Sequence, residues 1–279
     1  MNGARPMIPK IAMRRVGKSY PVRGGTFEAL RDVNLEVGAE EFLCIVGPSG
    51  CGKSTLLRML GGLDVASTGA IEVQQQSADR PLTAMIFQQE SVFPWLSVAK
   101  NASYGLYATN SWNGRDSKER IDYYLEKTGL LSFRQFYPYQ LSGGMKQRLA
   151  VARAFITNPE ILLMDEPFAA LDEQNKMLLQ EELGKLWETC RSTVVFITHS
   201  IDEAVLLGDR VLVMSSTPGH LKQAFAVPFG RPRNLLALRE QPEFGRMIRQ
   251  IWDVLREEVQ RTRALENQRL GQTGGGRHG

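Results

Sequence analysis

The sequence predicts an α/β fold on a mostly parallel sheet, from three observations. Strand-length apolar runs recur at 42–46 (FLCIV), 83–87 (TAMIF), 160–164 (EILLM), 193–197 (TVVFI) and 210–214 (RVLVM). Helical patterns at 171–189 and 200–207 separate the later runs, and strands that alternate with helices pair in parallel. Apolar residues fill 43% of the 279 positions, enough for a sizeable core.

The elements follow in order. The run 42–46 stops at Gly47-Pro48, as a buried strand does, and 53–60 then reads as a helix. From 88 to 158 the pattern changes: helical segments near 97–106, 116–129 and 144–157 follow one another with no strand between them. That predicts a helical insertion into the α/β layer. Further on, Phe244, Met247, Ile248, Ile251, Leu255 and Val259 recur at helical spacing as one apolar stripe. The stripe predicts a helix packed on its own domain, while Arg246, Arg249 and Arg256 support the alternative of a membrane-surface or partner-binding helix. Gly271 to Gly279 is Gly-rich and predicts disorder.

Composition excludes several classes. No apolar run approaches the roughly 18 residues that cross a bilayer, and the first thirty residues lack the apolar stretch of a secretory signal. Cys44, Cys51 and Cys190 are too few and scattered for a disulfide framework or a zinc site, and their odd number fits a reducing compartment. A cytoplasmic chain is expected. Residues 230–279 hold ten Arg and no Lys against six Asp and Glu, which accounts for the whole net charge of +4. The body is neutral, so the basicity belongs to the tail.

Gly47, Pro48, Ser49, Gly50, Cys51, Gly52, Lys53 and Ser54 match G-x-x-x-x-G-K-[ST], the phosphate-binding loop, between the strand and the helix that the motif requires. Glycines let backbone N–H groups converge on a phosphate, and the helix adds its positive end. Lys53 can reach the β and γ phosphates, and the Ser54 hydroxyl can bind magnesium. Asp165 and Glu166 close the apolar run 161–164, where α/β folds place ligands. Asp165 can hold the magnesium shell, and Glu166 can orient and deprotonate an attacking water. Leu141-Ser142-Gly143-Gly144 opens a helix and offers a second anion-binding terminus.

Taken together, over about residues 10–220, the phosphate loop, LSGG, the LLMDEP acids, Ala170-Leu171-Asp172 and Thr198-His199 resemble the ATP-binding subunits of ABC transporters in order and spacing. The resemblance implies a P-loop NTPase (RecA-like) fold: a mostly parallel sheet with an N-terminal antiparallel β portion and an inserted helical subdomain. The ATPase domain would span 8–228, with the subdomain at about 88–158, followed by an extension over 229–279, helical then disordered.

The resemblance also implies ATP and Mg2+ as ligands. It places Tyr20 on adenine and Thr55 beside Ser54 on the phosphates. Ser142, Gly143 and Gly144 would act on the γ-phosphate held by a second subunit. Gln88 would touch magnesium and water, although Gln89 leaves the frame open by one. His199 would stabilise the transition state, and Asp172 would link two active sites across a dimer. Cys51 sits near a helix N-terminus, where a thiol's pKa tends to fall. Alkylation there is expected to block ATP binding, with ATP protecting.

Within the family, the resemblance is to nitrate, sulfonate and taurine importers. It rests on Phe93-Pro94-Trp95-Leu96, Met145, Asp165-Glu166-Pro167-Phe168, Asp202-Glu203-Ala204, Thr217-Pro218-Gly219 and Gly230-Arg-Pro-Arg233 leading into Pro242-Glu-Phe244. It implies an ATPase on the cytoplasmic face of the membrane that energises a separate permease and, indirectly, a substrate-binding protein. The partner would be a second copy or a related subunit, with no nucleic acid. Phe93 to Leu96 are expected at the permease interface, with packing inside the insertion as the alternative. The basic tail motivates a second reading, a soluble ABC ATPase acting on nucleic acid or the ribosome. A small-molecule kinase leaves LSGG unexplained.

Overall fold

The structure is a computed structural model that describes residues 8–88, 91–169 and 171–274. Two long antiparallel strands open the chain: β1 (Ile11–Val22) and β2 (Gly25–Val37), joined by a tight turn at Arg23-Gly24. Next come β3 (Phe42–Val46), α1 (Lys53–Leu60) and β4 (Thr68–Val73). Strand β4 pairs with β1, which gives a three-stranded antiparallel sheet of order β2-β1-β4. This is the N-terminal antiparallel portion that the resemblance implies. The periodicity of the sequence hides it, because register shifts at Met13/Val16, Val16/Lys18 and Lys18/Ser19 break the two-residue alternation of β1.

The second sheet starts with β5 (Thr83–Ile86). After the helices α2 (Val98–Ala108), α3 (Gly114–Lys127) and α4 (Gly143–Ile156) come β6 (Ile161–Asp165), α5 (Glu173–Cys190), β7 (Thr193–Ile197), α6 (Ile201–Leu207), β8 (Arg210–Met214) and β9 (Leu221–Ala226). Its order is β5-β6-β7-β3-β8-β9, parallel except for β8 with β9. The α/β class and the mostly parallel sheet stand as the sequence predicts. Two strand boundaries differ by a residue: β5 ends at Ile86, and β6 runs Ile161–Asp165, while the Glu160 carboxylate pairs with Lys10 and accepts from the N–H groups of Gln76 and Ser77. Strands β4 and β9 escape the sequence pattern because they are short, mostly exposed and have no continuous apolar run.

Strand β3 shows how the layers stack. Phe42, Cys44 and Val46 face a core shared with α4, α5 and α6, whereas Leu43 and Ile45 face one shared with α1 and the antiparallel sheet. A strand buried on both faces reads as a continuous apolar run. Between β5 and β6 the described residues carry α2, α3 and α4, and Val98, Ala102, Leu149 and Phe155 of these helices join the core of the parallel sheet. The insertion is therefore bound to the sheet by packing as well as by the chain.

A short helix, α7 (Leu235–Arg239), leads into α8 (Pro242–Gly274). Phe244, Met247, Ile251 and Leu255 are buried against the body, with Ile248 and Val259 packed beside them, so the stripe is a packing face. The helix runs through Gly274, beyond Gly271 where composition predicts disorder to begin, and 275–279 lie outside the described residues. No helix among the described residues is long and apolar enough to cross a membrane.

Part of the tail's basicity is engaged internally. Arg231 lies 4.1 Å from the centre of the Trp187 ring and donates to Asp209 at 2.9 Å. Arg233 donates to the carbonyls of Leu206 (2.9 Å) and Gly208 (2.7 Å), capping the C-terminal end of α6. Burial, reinforced by Arg231, brings its pKa down to about 10, still charged at neutral pH. Arg246 and Arg256 pair with Glu243 and Asp253 on the surface of α8.

Candidate functional site

The C-terminal ends of β3, β5, β6 and β7 converge on one cleft, as a parallel sheet dictates. It holds about 360 Å³ and is lined by Tyr20, Phe27, Ala29, Ser49, Gly50, Gly52, Lys53, Ser54, Thr55, Gln88, Glu166 and His199. Strand β3 delivers the phosphate loop, and α1 begins inside it with Gly52 as its cap. Gly50 and Gly52 have φ of +74° and +98°, which L side chains rarely adopt. A Cβ on Gly52 would also lie 2.6 Å from Leu30 Cδ2. The Lys53 ammonium is buried and donates to the carbonyls of Gly47 (2.8 Å) and Pro48 (2.9 Å).

Glu166, one residue past β6, takes a left-handed backbone at φ +47°, which is uncommon for a non-glycine residue. Its N–H donates to Ile197 of β7 at 3.0 Å, which holds the turn. Its carboxylate then bridges two strands: Oε2 accepts from Gln88 Nε2 at 2.9 Å, and Oε1 lies 2.6 Å from His199 Nε2. Gln88 therefore reaches the site, while Gln89, which leaves the frame open by one in the sequence, lies outside the described residues.

Ser54 Oγ donates to Asp165 Oδ1 at 3.2 Å. Hydroxyl, carboxylate and amide oxygens are hard donors suited to magnesium, which keeps several other ligands of its own. Among the described residues no group of three or more His, Cys, Asp or Glu could hold a metal. The Ser54 hydroxyl, the Asp165 carboxylate and the Gln88 amide oxygen are a donor set that fits a hard divalent ion such as magnesium.

Tyr20 stands at the cleft on β1, opposite Phe27 of β2 across the hairpin. Its hydroxyl donates to Asp64 Oδ2 at 2.8 Å, and Lys18 lies 4.8 Å from its ring centre. Hydrogen bonds from Lys18 and then Tyr20 bring the Asp64 carboxyl down to about 2, so the tether stays ionised. Sequence reasoning missed Phe27 and Asp64. The glycines at 24 and 25 signal a hairpin, but only the turn at Arg23-Gly24 sets the register that puts Phe27 opposite Tyr20.

Ser142, Gly143 and Gly144 do not line this cleft. Ser142 caps α4, its Oγ accepting from Met145 N–H at 3.3 Å, and both Ser142 and Gly143 are exposed. Asp172 is likewise exposed and caps α5, accepting from Asn175 N–H at 3.0 Å; those bonds lower its pKa. Ala170 lies outside the described residues.

The reactive-thiol expectation for Cys51 is corrected. Its side chain is packed inward, 1% exposed, and burial raises its pKa despite the nearby Lys53. Desolvation outweighs the helix terminus that the sequence suggested. In the folded protein Cys51 and the equally buried Cys44 are expected to react with iodoacetamide at under about one-hundredth of their rate in denaturant. Peptide mass mapping measures this, and equal rates would contradict the packing.

Comparisons with known proteins agree with this architecture. The family described as ABC transporter matches residues 30–169. The chain is 43% identical over 261 residues to an uncharacterized ABC transporter ATP-binding protein of Methanocaldococcus jannaschii, covering 91% of this chain and 94% of that one. It is 41% identical over 244 residues to the nitrate import ATP-binding protein NrtD of Synechococcus elongatus, covering 86% and 89%. It is 35% identical over 264 residues to the taurine import ATP-binding protein TauB of Jannaschia sp., covering 91% and 98%. Among solved structures, the dimeric ATP-binding cassette MJ0796 bound to ADP and Pi superposes with a TM-score of 0.70 at 31% identity, over 79% of this chain and all of that one. On this similarity the chain belongs to the ABC transporter family, as one of its ATP-binding, ATP-hydrolysing subunits.

Proposed function

We propose that this chain energises import of a small anion, of the nitrate, sulfonate or taurine kind, through a separate membrane permease fed by a substrate-binding protein. The observation that carries the catalytic part is the Glu166 carboxylate, held between Gln88 and His199 at the mouth of the phosphate-loop cleft. In this reading the loop N–H groups from Gly47 to Thr55, with Lys53, bind the phosphates of ATP. Tyr20 stacks on the adenine. Ser54, Gln88 and Asp165 hold magnesium, which supplies charge neutralisation. Glu166 takes the proton of the attacking water, and His199 stabilises charge at the γ-phosphate.

Two subunits pair, so that Ser142, Gly143 and Gly144 of one close over the nucleotide of the other, and Asp172 joins the two sites. The dimeric cassette among similar structures supports this pairing. The import reading is supported by the nitrate and taurine import relatives. It is also supported by an exposed aromatic patch on the insertion. Trp95 is 70% exposed, and Pro94 beside it is exposed, whereas Phe93 packs on Tyr104 with ring centres 4.5 Å apart. Trp95 rather than Phe93 would therefore meet the permease, on the cytoplasmic face of the membrane.

The test uses the Glu166→Gln protein as bait, with ATP and magnesium, in detergent-solubilised host membranes. Mass spectrometry is expected to recover a polytopic membrane protein. Recovery of ribosomal or DNA-bound proteins instead would favour the nucleic-acid reading.

A further inference from the structure

The segment 215–220, between β8 and β9, touches the phosphate loop on one side and α8 on the other. Thr217 Oγ1 donates to the carbonyl of Gly50 at 2.8 Å. Gly219 donates to Ala29 at 2.9 Å and accepts from Arg31 N–H at 3.0 Å. It sits so close to the loop that a Cβ there would lie 1.9 Å from the carbonyl oxygen of Cys51. On the far side, Glu258 of α8 is 2% exposed. Its Oε2 accepts from Ser216 N–H (2.8 Å) and Oγ (3.1 Å), and its Oε1 accepts from Lys222 Nζ at 2.7 Å. Burial works against ionisation, but the bonds from Lys222 and Ser216 prevail and keep the carboxyl below the ordinary glutamate range.

These contacts form one path: Glu258 to Ser216, then Thr217 to Gly50, with Gly219 against Cys51. The path ends on the phosphate loop itself, at Gly50, whose φ of +74° L side chains rarely adopt, and at Cys51 beside it. Helix α8 approaches the loop from a second direction as well. A cavity of about 300 Å³ is walled by Pro48, Ser49 and His199 on one side and by Trp252, Leu255 and Val259 on the other. Nothing in the packing of a mere surface helix requires a buried, fully paired carboxylate facing this particular turn.

We propose that the C-terminal helix braces the phosphate loop, with Glu258 as a positioning residue that preorganises it for ATP through Ser216 and Thr217. The proposal rests on the reading that this loop holds ATP. A preformed loop loses less conformational freedom on binding, so the brace acts on affinity. Once the phosphates are bound they order the loop themselves, and turnover at saturation is spared.

The test measures binding of a fluorescent ATP analogue with magnesium, steady-state ATPase and thermal stability on the full chain. Glu258→Ala is expected to weaken affinity and raise KM by about tenfold, with kcat at saturating ATP within about twofold of wild type. Glu258→Gln keeps an acceptor for Ser216 and is expected to recover affinity to within about threefold. Thr217→Val cuts the same path at its other end, from a half-buried position that does not threaten folding. It is expected to weaken affinity similarly, and the double variant with Glu258→Ala to lose little more than either alone.

A folded Glu258→Ala protein of lower stability but wild-type ATP affinity overturns the brace, as does wild-type affinity in Thr217→Val. Losses that simply add in the double variant also overturn it. Lys53→Ala separates the two readings. If Lys53→Ala binds like wild type, the phosphate-loop reading fails; if it loses ATP while Glu258→Ala does not, only the brace fails.

Discussion

Glu166→Gln is expected to keep ATP binding and lower steady-state turnover by at least about 10²-fold, equivalent to about 2.7 kcal/mol of transition-state stabilisation. Glutamine matches the length of glutamate, so it can still span Gln88 and His199, 2.9 Å and 2.6 Å away in the native site. It cannot accept a proton from water. The backbone of Glu166 is already set at φ +47° and tied to Ile197, which removes rearrangement of the turn as a competing explanation. Glu166→Asp keeps the charge but is a methylene shorter and reaches only one of the two partners, so it should fall between wild type and Glu166→Gln. Phosphate release at saturating ATP, with the nucleotide Kd measured separately, decides the matter. Turnover within about threefold of wild type would remove Glu166 from the role of base.

The parts of this site legible in the sequence are those whose chemistry dictates spacing. A phosphate loop needs a strand before it and a helix after it, so 42–60 could be placed without the structure. Asp165 ends a buried parallel strand, Glu166 and His199 lie just past such strands, and their convergence comes from the parallel order itself. What stayed hidden depends on chain segments far apart in sequence. Strand β8 lies beside β3 only in the folded sheet, which brings Thr217 to Gly50 across 167 positions. In the sequence, Thr217-Pro218-Gly219 was only a mark of a subgroup, and Glu258 was one more acid on a helix. Cys51 misled for a related reason. The helix start that should activate its thiol was visible, whereas the packing beneath the loop that buries it was not.

The trans site calls for a substitution that separates two roles of Ser142. Ser142→Ala would remove the cap on Met145 N–H and destabilise α4 by about 1 kcal/mol, so a lost dimer would have two explanations. Ser142→Asp caps a helix as well as serine does, and adds a negative charge where the partner's γ-phosphate is proposed to arrive. Two like charges about 4 Å apart at an effective dielectric of about 20 repel by about 4 kcal/mol, and a symmetric dimer contains the pair twice. Even with screening by salt, ATP-driven dimerisation should weaken by more than about 10²-fold. ATP binding by the monomer should be unchanged, because Ser142 does not line its own chain's cleft. Light scattering on the Glu166→Gln background, with and without ATP and magnesium, gives the answer. A Ser142→Asp protein that still pairs like its parent would show that the LSGG turn does not face the partner's nucleotide, and the two-subunit site would have to be rebuilt from other residues.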